Sequence, residues 1–353
     1  MAPRRATHGL GVALLDFGYA GRVFHAPLIE ATPGLSLRVV ASRRAGAVAA
    51  ACPGVRVVTD PLQAIRQTDV DLVVVATPNE THAPLAEAAL RAGRHVVVDK
   101  PFTVTLDEAR ALVALARKVG TVLSVFQNRR WDSDFLVVAQ VLRAGDLGEV
   151  VECRSEISRW RPTVRDRWRE QPGPGAGLWY DLGPHLIDQV LRLFGLPHAV
   201  HAMLRTQRPG GRTIDWFQVT LEYPGRQAVL VSSMLAAAPA PRFVLRGTDG
   251  AAVKAHADPQ EHQRAAGVVI GSDTWGHDPD PLVVWSPDGT RREVAAPAGD
   301  WGRYYAMLRD AIQIAAPPPV TLPEALRVMA VLEAGLQSSS TARAVRPAPV
   351  DAE

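Results

Sequence analysis

The sequence predicts an α/β chain of two domains: a parallel sheet layered with helices, then an α+β domain on one mostly antiparallel sheet. Three observations predict it. Over the first 130 residues, short apolar runs of strand length alternate with helical segments. After about Phe126 the runs lengthen, and Gly, Pro and Asp turns separate them. The 353 residues suffice for two domains at roughly 100–200 residues each.

The first six runs are residues 10–15, 37–41, 55–58, 72–76, 95–98 and 122–126. They are apolar throughout rather than alternating, as strands covered on both faces are. Segments 84–92 and 106–119 read as helices between them. In the second, Leu106, Ala109, Leu112, Val113 and Ala116 recur at the spacing of a buried helical face. Crossovers in such a sheet are right-handed, and ligands sit at the carboxyl ends of its strands. Residues 131–143 then read as a helix, 145–148 as a turn and 150–160 as a strand. Residues 178–194 read as a helix that stops at Gly195. Strands follow at 199–206, 214–223, 227–234 and 243–247, and helices near 301–315 and 322–338. Pro317 to Pro319 form a stiff connector, and the Pro/Ala-rich tail after Arg343 is expected to fray. The division falls at 128/129, giving domains 1–128 and 129–353.

Composition excludes several classes. With 47% hydrophobic and 21% charged residues the chain is not a disordered one. The net charge is only +3 and no long Lys/Arg run is present, which argues against a nucleic-acid binder. Cys52 and Cys153 form no CxxC pair and supply neither a disulfide framework nor a cysteine zinc site, and no metal site is expected. No stretch reaches the roughly 18–20 apolar residues of a membrane span. The basic start, Met1 to His8, precedes an apolar run that ends at Asp16 without a cleavage pattern, so a buried first strand explains it better than a signal peptide. A cytoplasmic location is expected. Lysine stands only at 100, 118 and 254, leaving arginine for the other 36 of 39 basic residues. A lysine in a special position is therefore harder to dismiss as surface filler.

Five constellations could carry chemistry. Asp16-Phe17-Gly18-Tyr19-Ala20-Gly21 follows the first strand and opens a helix, where a dinucleotide fingerprint wants Gly-x-Gly-x-x-Gly. Gly18 and Gly21 fill the second and third places, and Asp16 departs from the first. Its carboxylate either lies near a pyrophosphate of like sign or turns away to cap a backbone donor. At the end of the second strand stand Ser42, Arg43 and Arg44 with no acid. An acid there holds the ribose 2′-hydroxyl of NAD, whereas an arginine accommodates the 2′-phosphate of NADP. NADP is thus expected, with NAD as the other choice. Thr77, Pro78, Asn79 and His82 follow the fourth strand, where a loop faces the nicotinamide or merely caps the next helix. Lys100 follows the fifth strand at a ligand-binding position, or pairs with Asp99 at a sheet edge. Asp181 and His185, four apart, share a helix face and suit general-base chemistry, or form a cap with a structural histidine. His185 and Asp188 are also neighbours, and Pro184 suits a first turn.

Together these residues resemble the Gfo/Idh/MocA oxidoreductases over nearly the whole chain. The resemblance rests on Gly18–Pro27, Ala76–His82, Asp99–Phe102, Phe126–Asp132 and Tyr180–Asp188, in that order. The Phe24–Pro27 and Gln127–Asp132 blocks are similar to the subgroup with NADP-dependent scyllo-inositol dehydrogenases. The resemblance implies a Rossmann domain and a second domain whose open sheet forms a subunit interface, hence a homodimer or homotetramer. It implies reversible oxidation of a secondary alcohol on a sugar or cyclitol. Lys100 matches the family's active-site lysine, His185 its catalytic histidine and Asp181 the acid of its Asp-x-x-x-His motif. Gln127, Arg129 and Trp131 join Asp181 and His185 as candidate substrate contacts. Gly18, Tyr19, Ala20, Gly21, Ser42, Arg43, Arg44, Thr77, Pro78, Asn79, His82 and Lys100 are the candidate cofactor contacts. The competing reading is a sensor of the same fold that binds dinucleotide without catalysis. The presence of both Lys100 and His185 favours the enzyme, while Asp16 keeps the sensor in play.

Overall fold

The computed structural model describes residues 9–350, and the basic segment 1–8 lies outside the described residues. The chain forms two compact units. One comprises the residues up to Gln127 with Arg264–Ser272 and Trp301–Leu326. The other comprises Asn128–Gln263, Asp273–Asp300 and the residues from Arg327 onward. The sequence divides the chain once, whereas here two later segments join the first unit.

In the first unit, β1 (Leu10–Leu15), β2 (Leu35–Ala41), β3 (Arg56–Val58), β4 (Leu72–Val75), β5 (His95–Val98) and β6 (Leu123–Val125) form one sheet. Its order is β3-β2-β1-β4-β5-β6 and every pairing is parallel. The chain order reverses between β1 and β4, the switch point at which such sheets bind ligands. The crossover helices are α1 (Ala26–Glu30), α2 (Ala45–Ala51), α3 (Pro61–Ile65), α4 (His82–Arg91) and α5 (Leu106–Val119). β1 and β4 are buried along their whole length. Each such Val or Leu side chain contributes about 1.5–3 kcal/mol of burial. Helix α5 carries a capping box between Thr105 and Glu108, and Leu106, Ala109, Leu112, Val113 and Ala116 form its buried face.

The second unit starts with a 3₁₀ turn, Asn128–Trp131, then α6 (Ser133–Ala144), β7 (Val150–Glu156) and α7 (Leu178–Phe194). The helix expected from Trp131 starts only at Ser133, because the 3₁₀ turn comes first. Next come β8 (Ala199–Arg205), β9 (Trp216–Tyr223), β10 (Arg226–Ser233), β11 (Phe243–Gly247) and β12 (Ala251–Lys254). The chain continues with α8 (Gln260–Ala265), β13 (Leu282–Trp285) and β14 (Arg291–Val294), then α9 (Gly302–Ile314), which belongs to the first unit, and α10 (Leu322–Thr341), whose start does too. The eight-stranded sheet runs β14-β13-β12-β11-β7-β10-β9-β8 and does not close. Only its β7–β10 pairing is parallel. Strands β12 to β14 and helix α8 are additions to the sequence reading. The tail does not fray at Val345, whose amide and carbonyl both bond Val200 at 3.0 and 2.8 Å.

Alternation sorts the two faces of this sheet. Leu230, Leu245, Ala252 and Val284 are buried on one face, against which α6 and α7 pack. Val229, Val244, Val253 and Val283 form a half-buried row across the other.

Candidate active site

The turn after β1 is built around Asp16, which sits at φ 79°, the left-handed region Asp tolerates better than most residues. Its Oδ2 accepts the Gly18 amide at 3.1 Å, so the carboxylate has turned onto a backbone donor of the turn itself. The carboxylate thus caps a donor while staying within the turn. A Cβ at Gly18 would lie 2.7 Å from this Oδ2, and one at Gly21 only 2.4 Å from the Asp16 carbonyl oxygen. The close approach of Asp16 to both positions therefore requires glycine at 18 and 21. Gly21–His25 forms a π-helical turn leading into α1. Tyr19 is exposed and stacks edge-on against Phe24, with ring centroids 5.5 Å apart. Ala20 begins the helical segment.

Ser42 is buried at the end of β2, and its Oγ accepts the Arg44 amide at 3.1 Å. Arg43 and Arg44 are exposed and meet no carboxylate among the described residues. Two unpaired guanidinium groups beside a serine suit a phosphate. After β4, the Thr81 hydroxyl bonds Thr77 Oγ1 at 2.6 Å and the Pro78 carbonyl at 2.7 Å. Buried Asn79 opens a 3₁₀ turn to Thr81, and Thr81 is the cap residue of α4. His82 is buried, with Nδ1 2.8 Å from the Pro101 carbonyl and Nε2 2.9 Å from that of Thr77. Its ring nitrogens tie the β4 loop to the β5 loop.

Lys100 stands directly after β5, between β4 and β6 in the sheet, so it is not at an edge. Asp99 holds it through the backbone: Oδ1 accepts the Lys100 amide at 2.8 Å. Behind this pair lies a buried cluster that sequence reasoning missed. His25 Nε2 faces Asp99 Oδ2 at 3.9 Å, too long for a hydrogen bond, and His25 Nδ1 meets the Tyr305 hydroxyl at 2.7 Å. Burial raises the Asp99 carboxyl, but His25, Lys100 and His82 more than offset this and hold it at about 2. Burial also pushes the Tyr305 phenol well up, so it stays protonated. At the end of β6, Gln127 is buried, and its Oε1 has no partner among the described residues.

In the second unit, Asp181 and His185 lie one turn apart near the start of α7. The helix begins a turn earlier than Pro184 suggests. Gly177 is the cap, Asp181 lies in the first turn and Pro184 falls inside the helix. Asp188 does not serve His185, because both its oxygens bond Arg130, at 2.8 and 2.6 Å. Arg129 and Trp131 are nearly buried in the 3₁₀ turn. Burial works against the Arg129 charge, but Asp132 at 2.9 Å and Glu261 at 3.5 Å more than offset it and raise the group. Gln189 on α7 donates to the Arg129 carbonyl at 2.8 Å and accepts from Arg242, which also meets Asp134 at 3.0 Å. These bonds fix α7 against the turn. Among the described residues no group of three or more His, Cys, Asp or Glu side chains could hold a metal. Burial pushes the Cys52 and Cys153 thiols to about 11 and 12, which removes them as nucleophiles. No described helix is long and apolar enough to cross a membrane.

Known proteins share this fold. Residues 10–127 match the NAD-binding Rossmann fold of an oxidoreductase family, and 139–347 match that family's C-terminal alpha/beta domain. The chain belongs to the Gfo/Idh/MocA oxidoreductase family. It is 47% identical to the uncharacterized oxidoreductase YdgJ of Escherichia coli, over 93% of this chain and 96% of that protein. It is 34% identical to the NADP-dependent scyllo-inositol 2-dehydrogenase IolW of Bacillus subtilis, over 97% of each chain. Among solved structures, the Yersinia pestis protein YPO2259 superposes with a TM-score of 0.93 at 44% identity, over 99% of this Gfo/Idh/MocA chain and 100% of the other.

Proposed function

We propose that the protein is an NADP-dependent dehydrogenase acting on a secondary hydroxyl of a sugar or cyclitol. The observation that carries this reading is Lys100 at the carboxyl end of an interior parallel strand, in a chain whose Asp181 and His185 share the first turns of α7. The names of two relatives support the substrate class: scyllo-inositol dehydrogenase in B. subtilis, and inositol 2-dehydrogenase in Rhodococcus erythropolis, 36% identical over 41% of this chain.

The Gly18–Gly21 cradle, with Tyr19 and Ala20, holds the pyrophosphate. Ser42, Arg43 and Arg44 take the 2′-phosphate, and the Thr77-Pro78-Asn79 loop shaped by His82 borders the nicotinamide. Bound NADP supplies the ring that accepts or returns the hydride. His185 takes the hydroxyl proton on a ring nitrogen during oxidation. Lys100 donates from Nζ to the oxygen as it gains negative charge. Asp181 orients His185 or a neighbouring hydroxyl. Gln127 holds an unsatisfied Oε1 that a substrate hydroxyl can satisfy, and Arg129 and Trp131 are further substrate contacts. The uncovered sheet face, with its row of valines, joins two copies into a homodimer or a larger closed assembly. A cytoplasmic location goes with the two buried free thiols.

The test is NADPH fluorescence titration followed by a turnover screen over inositols, aldoses and their acidic derivatives. Tight NADPH binding with turnover of one polyol class is expected. Binding without turnover of any of them would replace the enzyme by the non-catalytic sensor.

A further inference from the structure

Beside Asp181 the second unit carries more positive charge than its own carboxylates use. The pairing of β7 with β10 continues beyond the end of β7. Ile157, Arg159 and Arg161 donate their amides to Val231, Ser233 and Met234 at 3.1, 2.8 and 2.8 Å. Alternation puts Cys153, Ser155 and Ile157 on the buried face, and Arg159 and Arg161, both half-buried, follow it. Trp160, between them, is 57% exposed on the opposite side.

The charges then sort into two groups. Arg167 and Arg208 share Glu170, at 2.6 and 3.0 Å, and Arg208 also meets Asp215 at 3.0 Å. Arg169 reaches Asp181 at 3.6 Å. The guanidinium groups of Arg159, Arg161 and Arg165 have no carboxylate partner among the described residues, although the Arg165 amide donates to Glu170 at 3.0 Å. Arg161 is half-buried, and burial lowers its guanidinium, as do Arg159, Arg165 and Arg167 around it; Asp181 opposes them. A narrow cleft adjoins this cluster, lined by Arg167, Arg169, Asp181, Arg208 and Thr213 among others, and Arg208 on its wall donates to the Arg161 carbonyl at 3.2 Å.

A neutral polyol offers hydroxyls, which give these guanidinium groups no countercharge. A carboxylate or phosphate gives them a planar or trigonal set of oxygens that matches the arginine fork. We propose that Arg161, with Arg159 and Arg165, forms an oxyanion subsite beside Asp181, and that the substrate is an acidic sugar or cyclitol derivative. This rests on the reading of Asp181 and His185 as the reacting site. It deepens that reading by naming the substrate class.

The experiment compares kcat/KM for matched neutral and acidic substrates: inositol with inositol phosphate, and an aldose with its aldonic acid and its 6-phosphate. The acidic member should be preferred roughly 10- to 100-fold, the range of a charge-assisted hydrogen bond. Added salt should erode the preference. Arg161→Gln should collapse the ratio to within about threefold, and Arg161→Lys should keep part of it. The aldonic acid and the phosphate ester separate the two oxyanion sources. In parallel, calorimetric titration of the full-length protein with inorganic phosphate and with gluconate reads the subsite without turnover. Binding weakened about tenfold or more by Arg161→Gln supports the proposal even if no substrate is turned over, the outcome that removes the dehydrogenase reading instead. A wild-type protein that prefers the neutral partner, or an acidic preference unchanged in Arg161→Gln, overturns the subsite. So does absence of heat with both anions.

Discussion

Replacing Asp16 by glycine tests how the first turn works. Two consequences for stability oppose each other. Relief of the left-handed backbone at φ 79° gains up to about 1–2 kcal/mol, less for Asp than for a bulkier residue. Loss of the 3.1 Å bond from the Gly18 amide costs about 0.5–1.5 kcal/mol. The melting temperature should therefore move little. Dinucleotide binding has no such cancellation. The Gly18 amide is freed for a phosphate oxygen, and one negative charge leaves the cradle. Unscreened repulsion at about 4–6 Å with an effective dielectric near 20 is roughly 3–4 kcal/mol, and water and salt reduce it severalfold. NADPH should bind about tenfold tighter to Asp16→Gly, with a larger gain at low ionic strength. Asp16→Asn separates the causes, because it removes the charge but keeps an oxygen on the Gly18 amide. Fluorescence titration at two salt concentrations measures all three proteins. Equal dissociation constants at both salts would show that neither the charge nor the captured amide matters to the cofactor.

Other expectations follow from the same geometry. His185→Ala should lower turnover about 10²–10⁴-fold with NADPH binding nearly intact, and near-normal turnover would remove its role as the base. Lys100→Ala should behave alike, and Lys100→Arg should not restore activity, because a planar fork replaces a compact donor. Arg43→Ala should erase most of a tenfold to several-hundredfold preference for NADP over NAD; equal efficiency with both cofactors in the parent protein contradicts it. Burial and Asp134 push the Asp258 carboxyl up to about 6, so its favourable contribution is present at low pH and lost as pH rises through 6. Relative to Asp258→Asn, the parent should gain about 1 kcal/mol in urea unfolding from pH 7.5 to 5.5, and parallel curves would refute the shift.

The first unit was legible because its signals are local. Six apolar runs, a capping box and two turn glycines lie within a few residues of what they determine. In the second unit, β12, β13 and β14 are only four residues each and lie among Gly, Pro and Asp turns. β14 is an exposed edge strand of Arg-Arg-Glu-Val, with no apolar alternation to announce it. Lys254 reads as one of three lysines, yet it is buried against Asp278 at 3.2 Å and against Asp280. That pairing joins residues 24 and 26 positions apart and leaves no periodic trace. The arginines of 159–169 were visible but were passed over in favour of uninterrupted basic runs, whereas strand alternation spaces a face by two.

The same distinction governs Asp99. Sequence adjacency suggests that its carboxylate neutralises the Lys100 ammonium. Besides that charge interaction, the structure gives the Lys100 amide a bond to Asp99 Oδ1, and the other carboxylate oxygen faces His25, 74 positions earlier in the chain. With its carboxyl held at about 2 despite full burial, Asp99 is a fixed negative charge behind Lys100. A depressed folded-state pKa stabilises the fold above the ordinary carboxylate range, and this contribution is lost only as pH falls toward 2. Across the working range Asp99 therefore neither supplies nor accepts a proton, and proton handling in the proposed reaction falls to His185. Difference infrared titration of the parent against Asp99→Asn should show an ionised carboxylate throughout pH 4–8. A protonation step assigned to Asp99 inside that interval would make it a second acid–base group, and the single-base scheme would have to be abandoned.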